Sequence, residues 1–301
     1  MTNNNLSVCL LGATGFLGSA IAKELEARNI SWIGISRNIS DDIRIKKLNL
    51  SDRDEMINIF KRSDVVINAL GSAKPKDFEE NPQLTLNTIW ENAVTLSSLL
   101  KAGNISKLVQ ISSAGTVYGE EVDAPHTEES NLLPISWYGK AKVIEELYLE
   151  KASESNQFDY LCCRVTNPYG NEKKTMHGFI DVLIHSTISG KKFSYYQDCN
   201  PIRDFIYADD MAFSIVELIE QNCSGIFNIG SGDSHSLEEI VNFVRDKFKG
   251  EVFIDRVTNK PSYDVLNNKV NVEKLIIHKA QRVSMDVFSY IDNQLMENTR
   301  K

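Results

Sequence analysis

The chain has no apolar run near the roughly 20 residues that a membrane-spanning helix needs, so none is expected. It has no excess of positive charge: 33 Lys and Arg stand against 41 Asp and Glu, a formal net charge of −8. That balance disfavours a general nucleic-acid or anionic-membrane binder, yet leaves room for one nucleotide in a local pocket. There is no Cys-x-x-Cys; the five cysteines, Cys9, Cys162, Cys163, Cys199 and Cys223, are an odd number. They read as reduced thiols of a cytoplasmic protein rather than as a disulfide framework. His126, His177, His185, His235 and His278 lack ligand spacing, so no metal is expected. The opening Met1-Thr2-Asn3-Asn4-Asn5 lacks the basic segment and apolar stretch of a signal peptide. Repeats, low-complexity tracts and evident linkers are also missing.

What is present is an ordinary globular composition, 42% hydrophobic and 25% charged over 301 residues. That length suits one large α/β unit or two coupled domains. Apolar runs of strand length occur at Leu6 to Leu11, Ile30 to Ile35, Asp64 to Leu70, Lys107 to Ile111 and Phe158 to Val165. Helical periodicity fills the gaps at Phe16 to Arg28, Pro82 to Lys101 and Ser136 to Lys151. The alternation predicts an α/β fold with a doubly wound parallel sheet covered on both faces. Past Asn167-Pro168-Tyr169-Gly170 the pattern loosens, with helices expected at Gly178 to Ser189, Ala208 to Gln221 and Ser236 to Phe248. A dinucleotide-binding domain is therefore expected over 1–166. A smaller α/β substrate-binding region follows over 167–301, with about 204–230 returning to pack on the first domain.

Gly12-Ala13-Thr14-Gly15-Phe16-Leu17-Gly18 lies between the first strand and the first helix. In that context glycines permit a tight turn, a backbone approach to pyrophosphate and close helix–strand packing. The helix N-terminus then offers its N–H groups to the phosphates. Farther on, Tyr138 and Lys142 stand four residues apart and share one face of a helix. An ammonium beside a phenol favours the phenolate, which suits a Tyr that exchanges a proton near neutral pH.

The Gly-x-x-Gly-x-x-Gly turn and Tyr-x-x-x-Lys pair occur with Ile111-Ser112-Ser113-Ala114-Gly115-Thr116-Val117-Tyr118-Gly119 and Arg164-Val165-Thr166-Asn167-Pro168-Tyr169-Gly170. They are followed by Arg203-Asp204-Phe205-Ile206-Tyr207-Ala208-Asp209-Asp210 and Phe227-Asn228-Ile229-Gly230-Ser231-Gly232. In this order, from residue 12 to about 240, the set resembles the extended short-chain dehydrogenase/reductase superfamily. Within it, the chain is similar to the NAD(P)-dependent nucleotide-sugar epimerase/dehydratase/reductase group, and past about Gly250 the match is faint. The resemblance implies a Rossmann domain, a nucleotide-sugar substrate and a homodimer built on two long helices per subunit.

The second strand ends Ile35-Ser36-Arg37-Asn38, without the carboxylate that usually holds the ribose hydroxyls of NAD. Ser36 can donate to a 2′-phosphate and Arg37 can pair with it, so NADP(H) is favoured over NAD(H). Otherwise Arg37 is a solvated charge or stacks on adenine. The resemblance places an adenine-binding Asp near Asp52, although Asn49 replaces the usual acidic residue before it.

By the same resemblance Tyr138 is the proton donor or acceptor, and Lys142 binds the nicotinamide ribose. A Ser or Thr at the preceding strand end bonds the reacting oxygen. The position four residues before Tyr118 is Ala114, so the hydroxyl is assigned to Ser113, with Thr116 as competitor and Ser112 as a support of the strand end. Family members that eliminate water carry an Asp-Glu pair where this chain has Gly115 and Thr116; a 4,6-dehydratase is therefore not expected, and a decarboxylase is disfavoured likewise.

On the substrate side, the resemblance puts Arg203 against a diphosphate and Asn167 against the substrate. The alternatives are a structural pair of Arg203 with Asp204 or Asp209, and an Asn-Pro turn. Asn87 and Tyr169 are weaker candidates, and Tyr195-Tyr196 reads as strand core rather than a base-stacking surface. Three functions fit: an NADPH-dependent reductase of a nucleotide-linked 4-keto-6-deoxyhexose, the leading one; an NAD-dependent C4 epimerase of a nucleotide hexose such as a UDP-sugar; and a non-catalytic dinucleotide sensor.

Overall fold

The computed structural model describes residues 6–71, 75–120, 125–170, 178–196, 200–258 and 261–299. Met1 to Asn5, His177 and Cys199, each used above, lie outside the described residues. In chain order the elements are β1 Ser7–Leu11, α1 Phe16–Ala27, β2 Ser31–Ser36, β3 Ile45–Lys47, α2 Arg53–Phe60, β4 Val65–Asn68, α3 Pro75–Glu80, α4 Pro82–Gly103 and β5 Lys107–Ser113. Next come α5 Ala114–Val117, α6 Trp137–Asn156, β6 Asp159–Val165, β7 Asn167–Tyr169, α7 Phe179–Ile188, β8 Phe193–Tyr196, β9 Ile202–Tyr207, α8 Ala208–Glu220 and β10 Gly225–Ile229. The chain closes with β11 Ser234–Ser236, α9 Leu237–Lys247, β12 Ile254–Val257, β13 Asn267–Asn268, α10 Glu273–Ile277 and α11 Val287–Thr299.

Two compact units form. The first comprises Met1–Ser113, Ser136–Arg164 and Ile215–Phe227; the second comprises Ala114–Ile135, Val165–Ser214 and Asn228–Lys301. A single boundary at residue 166 is thus too simple. The chain leaves the first unit where β5 ends, re-enters it at Ser136, and returns again over 215–227, a shorter stretch than 204–230.

In the first unit a seven-stranded sheet has the order β10-β6-β5-β4-β1-β2-β3. The strand β1 pairs in parallel with both β2 and β4, so the chain winds outward one way through β3 and then the other way through β6. That reversal creates a crevice at the carboxyl ends of β1 and β4, the usual ligand position of such sheets. Register puts Leu11 beside Ile35 and Asn68, and Asn68 beside Gln110, so these strand ends share one edge. The strands are apolar on both faces because helices cover both; all four residues of β4 are buried. Cys9, Leu11, Val66, Leu96, Leu100, Leu108, Leu149 and Cys162 belong to one core cluster. Among the described residues, Cys9, Cys162, Cys163 and Cys223 form no disulfide with one another.

The second unit builds a sheet of order β11-β9-β13, with β7 also on β9, and a separate parallel pair β12-β8. Its core gathers Ile180, Leu183, Phe193, Tyr195, Phe205, Val241 and Ile291. Tyr195 is accordingly a core residue.

Candidate active site

The turn after β1 is built by glycine. Gly12 has φ +79°, a backbone that L side chains rarely adopt, and an added Cβ would stand 2.5 Å from the carbonyl oxygen of Ala69. A Cβ on Gly18 would run into the Gly12 carbonyl. Helix α1 therefore begins tight against the loop, with Gly15 at its cap and no side-chain cap bond. Above this turn lies a cleft of about 620 Å³ lined by Gly12, Thr14, Gly15, Arg37, Asn49 and Asn92, among others. Phe16, Leu17 and Gly18 form the first turn of α1 and are outside that lining.

At the end of β2, the Ser36 and Thr14 hydroxyls meet at 2.6 Å, and Ser36 Oγ accepts from the Asn38 amide at 3.0 Å. Arg37 is exposed on the cleft. Asp52 is placed differently from the expectation. It is exposed, caps the start of α2, and accepts from the Asn49 amide at 2.7 Å. Asn49, Leu50 and Ser51 line the cleft instead.

The cleft continues into a small cavity of about 60 Å³, sharing Leu50, Leu70, Gly71 and Asn92 with it. The cavity is also lined by Asn68, Tyr138, Lys142 and Glu145. Helix α6 presents the last three. Its N-cap Ser136 accepts from the Gly139 amide at 2.9 Å, which places Tyr138 in the first turn of the helix and Lys142 in the next. The Tyr138 ring packs edge-on to Phe78, centroids 5.3 Å apart.

Lys142 is buried. Its ammonium donates to the Ile111 carbonyl at 3.0 Å and to Glu145 Oε2 at 2.5 Å. Burial alone would push this ammonium down; Glu145, Tyr138 and Glu146 outweigh it and hold Lys142 above the usual lysine range. The Ile111 carbonyl also accepts from Gln110, whose amide oxygen receives the Asn68 amide at 2.8 Å. The carboxyl ends of β4 and β5 and the Lys142 side chain are thereby tied into one network.

The three candidate hydroxyls have different fates. Ser112 donates to Glu146 Oε1, so it is committed to the scaffold. Ser113 is the last residue of β5 and half-buried, and its hydroxyl has no hydrogen-bond partner among the described residues. Thr116, in the second unit, has a buried Oγ1 with no partner among the described residues.

In the second unit, Asn167 donates to the Asp204 carbonyl at 2.8 Å. Arg203 is buried and pairs with Asp264 at 2.9 Å, not with Asp204, while donating to the carbonyls of Ile202 and Leu266. Asp204 instead accepts from Thr166 Oγ1 and from the amides of Ser231 and Gly232. Burial pushes its carboxyl up to about 6, against the pull of those donors. Tyr169 donates to the Met285 carbonyl, and Asn87 is exposed on α4.

Asn92 and Glu145 are cavity residues that the motif reading did not single out. Thr88, Asn92 and Thr95, spaced by four and three along α4, were the available signal for a polar face on the cleft. Glu145 carries no such signal, since Glu145-Glu146 on a helix resembles any solvated charge pair.

Residues 8–230 match the model of the NAD dependent epimerase/dehydratase family. The chain belongs to that family.

This family member is 27% identical over 281 residues to a Methanocaldococcus jannaschii protein named "Putative UDP-glucose 4-epimerase", covering 89% of this chain and 92% of the other. It is 26% identical over 271 residues to a dTDP-4-dehydro-6-deoxyglucose reductase of Escherichia coli, covering 82% and 83%. The fold matches the Thermus thermophilus UDP-glucose 4-epimerase solved with NAD: TM-score 0.87, 22% identity, 98% of this chain and 99% of that one. The residues present fit a dinucleotide. The cleft falls within the range of about 300–1,000 Å³ usual for ligand pockets. It also lies over a glycine-built turn at a helix N-terminus, where phosphates are held by N–H groups.

Proposed function

We propose that the protein is an NADPH-dependent reductase of a nucleotide-linked 4-keto-6-deoxyhexose, acting at the C4 ketone. The observation that carries this reading is the end of β2: Arg37 lines the cleft and no carboxylate stands beside it in Ser36-Arg37-Asn38. A guanidinium there pairs with a 2′-phosphate, whereas an acidic residue would repel it. NADPH fits an enzyme that consumes its reductant in every turnover.

In this reading a reduced nicotinamide, when bound, would be the source of the hydride that the C4 carbon takes up. Tyr138 gives its phenolic proton to the oxygen that becomes the alcohol. Lys142, fixed by Ile111 and Glu145, holds the ribose side of the cavity, and Ser113 donates to the reacting oxygen. Gly12, Thr14 and Gly15 cradle the pyrophosphate, and Arg203 and Asn167 take the substrate. Arg203 would then exchange Asp264 for a diphosphate. Gly115 and Thr116 supply no carboxylate for elimination, which argues against a 4,6-dehydratase.

The relative from Escherichia coli makes dTDP-4-dehydro-6-deoxyglucose the first substrate to assay. The test follows loss of reduced-nicotinamide absorbance with NADPH and NADH separately, across dTDP-, GDP-, UDP- and CDP-linked 4-keto sugars. Stoichiometric NADPH consumption with one of them is the expected result. A second reading, C4 epimerisation, is favoured by the relatives named epimerases. It is the answer if the purified protein carries tightly held NAD and interconverts UDP-hexoses without added cofactor. Binding of cofactor with no Tyr138-dependent turnover would leave the sensor.

The helices α4 and α6 support a homodimer. Trp90 and Val94 on α4 and Ile144 and Leu147 on α6 are exposed, and Trp90 packs on Tyr148 across the two helices at 4.9 Å.

A further inference from the structure

Lys142 has two neighbouring carboxylates, and they are not equivalent. Glu146, one turn along α6, accepts from Ser112 and is paired with the buried Arg164 guanidinium of β6. Its charge is already answered. Glu145 faces the other way, into the cavity with Tyr138, and pairs with Lys142 at 2.5 Å; the two side chains are 8% and 9% exposed. Around this pair stand Tyr138 and Glu146 on α6, and Tyr160, Cys162 and Arg164 on β6. The cavity residues of β4 and α4, Asn68 and Asn92, are uncharged. Glu145 is thus the counter-ion of the ammonium that the acid–base step relies on.

We propose that Glu145 is a positioning residue of the reaction: its carboxylate anchors the Lys142 ammonium and offsets its charge, so the Lys142–Glu145 pair sets the pH range of proton transfer at Tyr138. At 2.5 Å the carboxylate lies close enough to cancel much of the field that Lys142 alone would exert on a neighbouring phenol. The anchor also leaves the ammonium one proton for a ribose hydroxyl, the other two being held by Glu145 and Ile111. The inference rests on Tyr138 as the acid–base group, but not on whether the enzyme reduces or epimerises.

The test is Glu145→Gln, which keeps an oxygen to accept from Lys142 and removes the charge. Two pH titrations are read: kcat/KM, and phenolate absorbance as the difference between each protein and its Tyr138→Phe counterpart. With the ammonium uncompensated, both midpoints should move to lower pH by about one unit. Glu145→Asp keeps the charge and should hold the wild-type midpoint while turnover drops. Should the Gln variant not fold, Glu145→Met carries the same expected shift. Unchanged midpoints in the uncharged variant, or equal shifts in the Gln and Asp variants, overturn the inference. Activity retained in Tyr138→Phe instead overturns the reading beneath it, so the two failures are distinguishable.

Discussion

Glu146 and Arg164 form a bidentate pair inside the first unit: Nη2 lies 2.8 Å from Oε2, and Nε lies 3.3 and 3.2 Å from the two carboxylate oxygens. Ser112 donates to the same carboxylate. The pair joins α6, which carries Tyr138 and Lys142, to β6 and to the end of β5, where Ser113 stands. It is a brace for the candidate catalytic group rather than a part of it.

Breaking the brace from one side should be costly. Arg164→Met takes the guanidinium from a buried carboxylate, and Glu146→Gln takes the carboxylate charge from a buried guanidinium. Each should destabilise the fold by about 3–5 kcal/mol, while the double variant recovers a large share because neither charge of the pair remains. Urea unfolding of the four proteins checks this. Additive losses would mean that the two residues do not act as a pair.

Tyr138→Phe should leave the fold and cofactor binding intact, since the ring keeps its edge contact with Phe78 and loses only an oxygen. Turnover should fall by roughly 10²–10⁴-fold, the range expected for removing a positioned acid. Cofactor titration followed by fluorescence and steady-state rates separate the two effects. Weakened cofactor binding with near-normal kcat would move the phenol from chemistry to binding.

The long elements were readable because their patterns are strong. The run Leu6 to Leu11 became β1, and the periodic stretches became α1, α4 and α6 to within a few residues. Short or polar elements escaped: α2 opens Arg53-Asp54-Glu55, β3 is three residues long, and α10 is five. Such pieces are fixed by packing on the sheet rather than by their own periodicity. The division into units escaped too, because 114–135 and 215–227 change sides without any shift in composition. At the site, Tyr138, Lys142 and the glycine turn were legible from spacing. Asn49 replaced Asp52 at the cleft because the turn Asn49–Asp52 is closed by the Asp52 carboxylate itself. Glu145 was illegible, since only the three-residue helical step under Lys142 turns an ordinary glutamate inward.

Arg37→Ser should weaken NADPH by about 10- to 100-fold, the loss expected when a hydrogen bond to a charged group worth roughly 1.5–3 kcal/mol is removed. NADH, with no 2′-phosphate, should change little. Calorimetric titration with each cofactor checks the contrast. Equal weakening of both would place Arg37 against adenine instead, and no effect on either would make it a solvated charge.

Two turns of apolar surface on neighbouring helices are the remaining feature with a measurable consequence. Trp90, Val94, Ile144 and Leu147 are each more than a third exposed, although α4 and α6 pack together through Trp90 and Tyr148. Large apolar residues adjoining one another on a surface mark an interaction site more often than a chance exposure. A second copy placed on the same two helices would be self-complementary, as a two-fold interface requires. Light scattering coupled to size-exclusion chromatography should therefore give about twice the 33.9 kDa of one chain. Ile144→Glu should shift it toward the single chain, because a charge would be buried at the centre of the patch without a partner. Ile276→Glu, at an exposed residue of α10, should leave the mass unchanged. A monomer in the unsubstituted protein would refute the pairing, and an Ile144→Glu dimer would place the interface on another face.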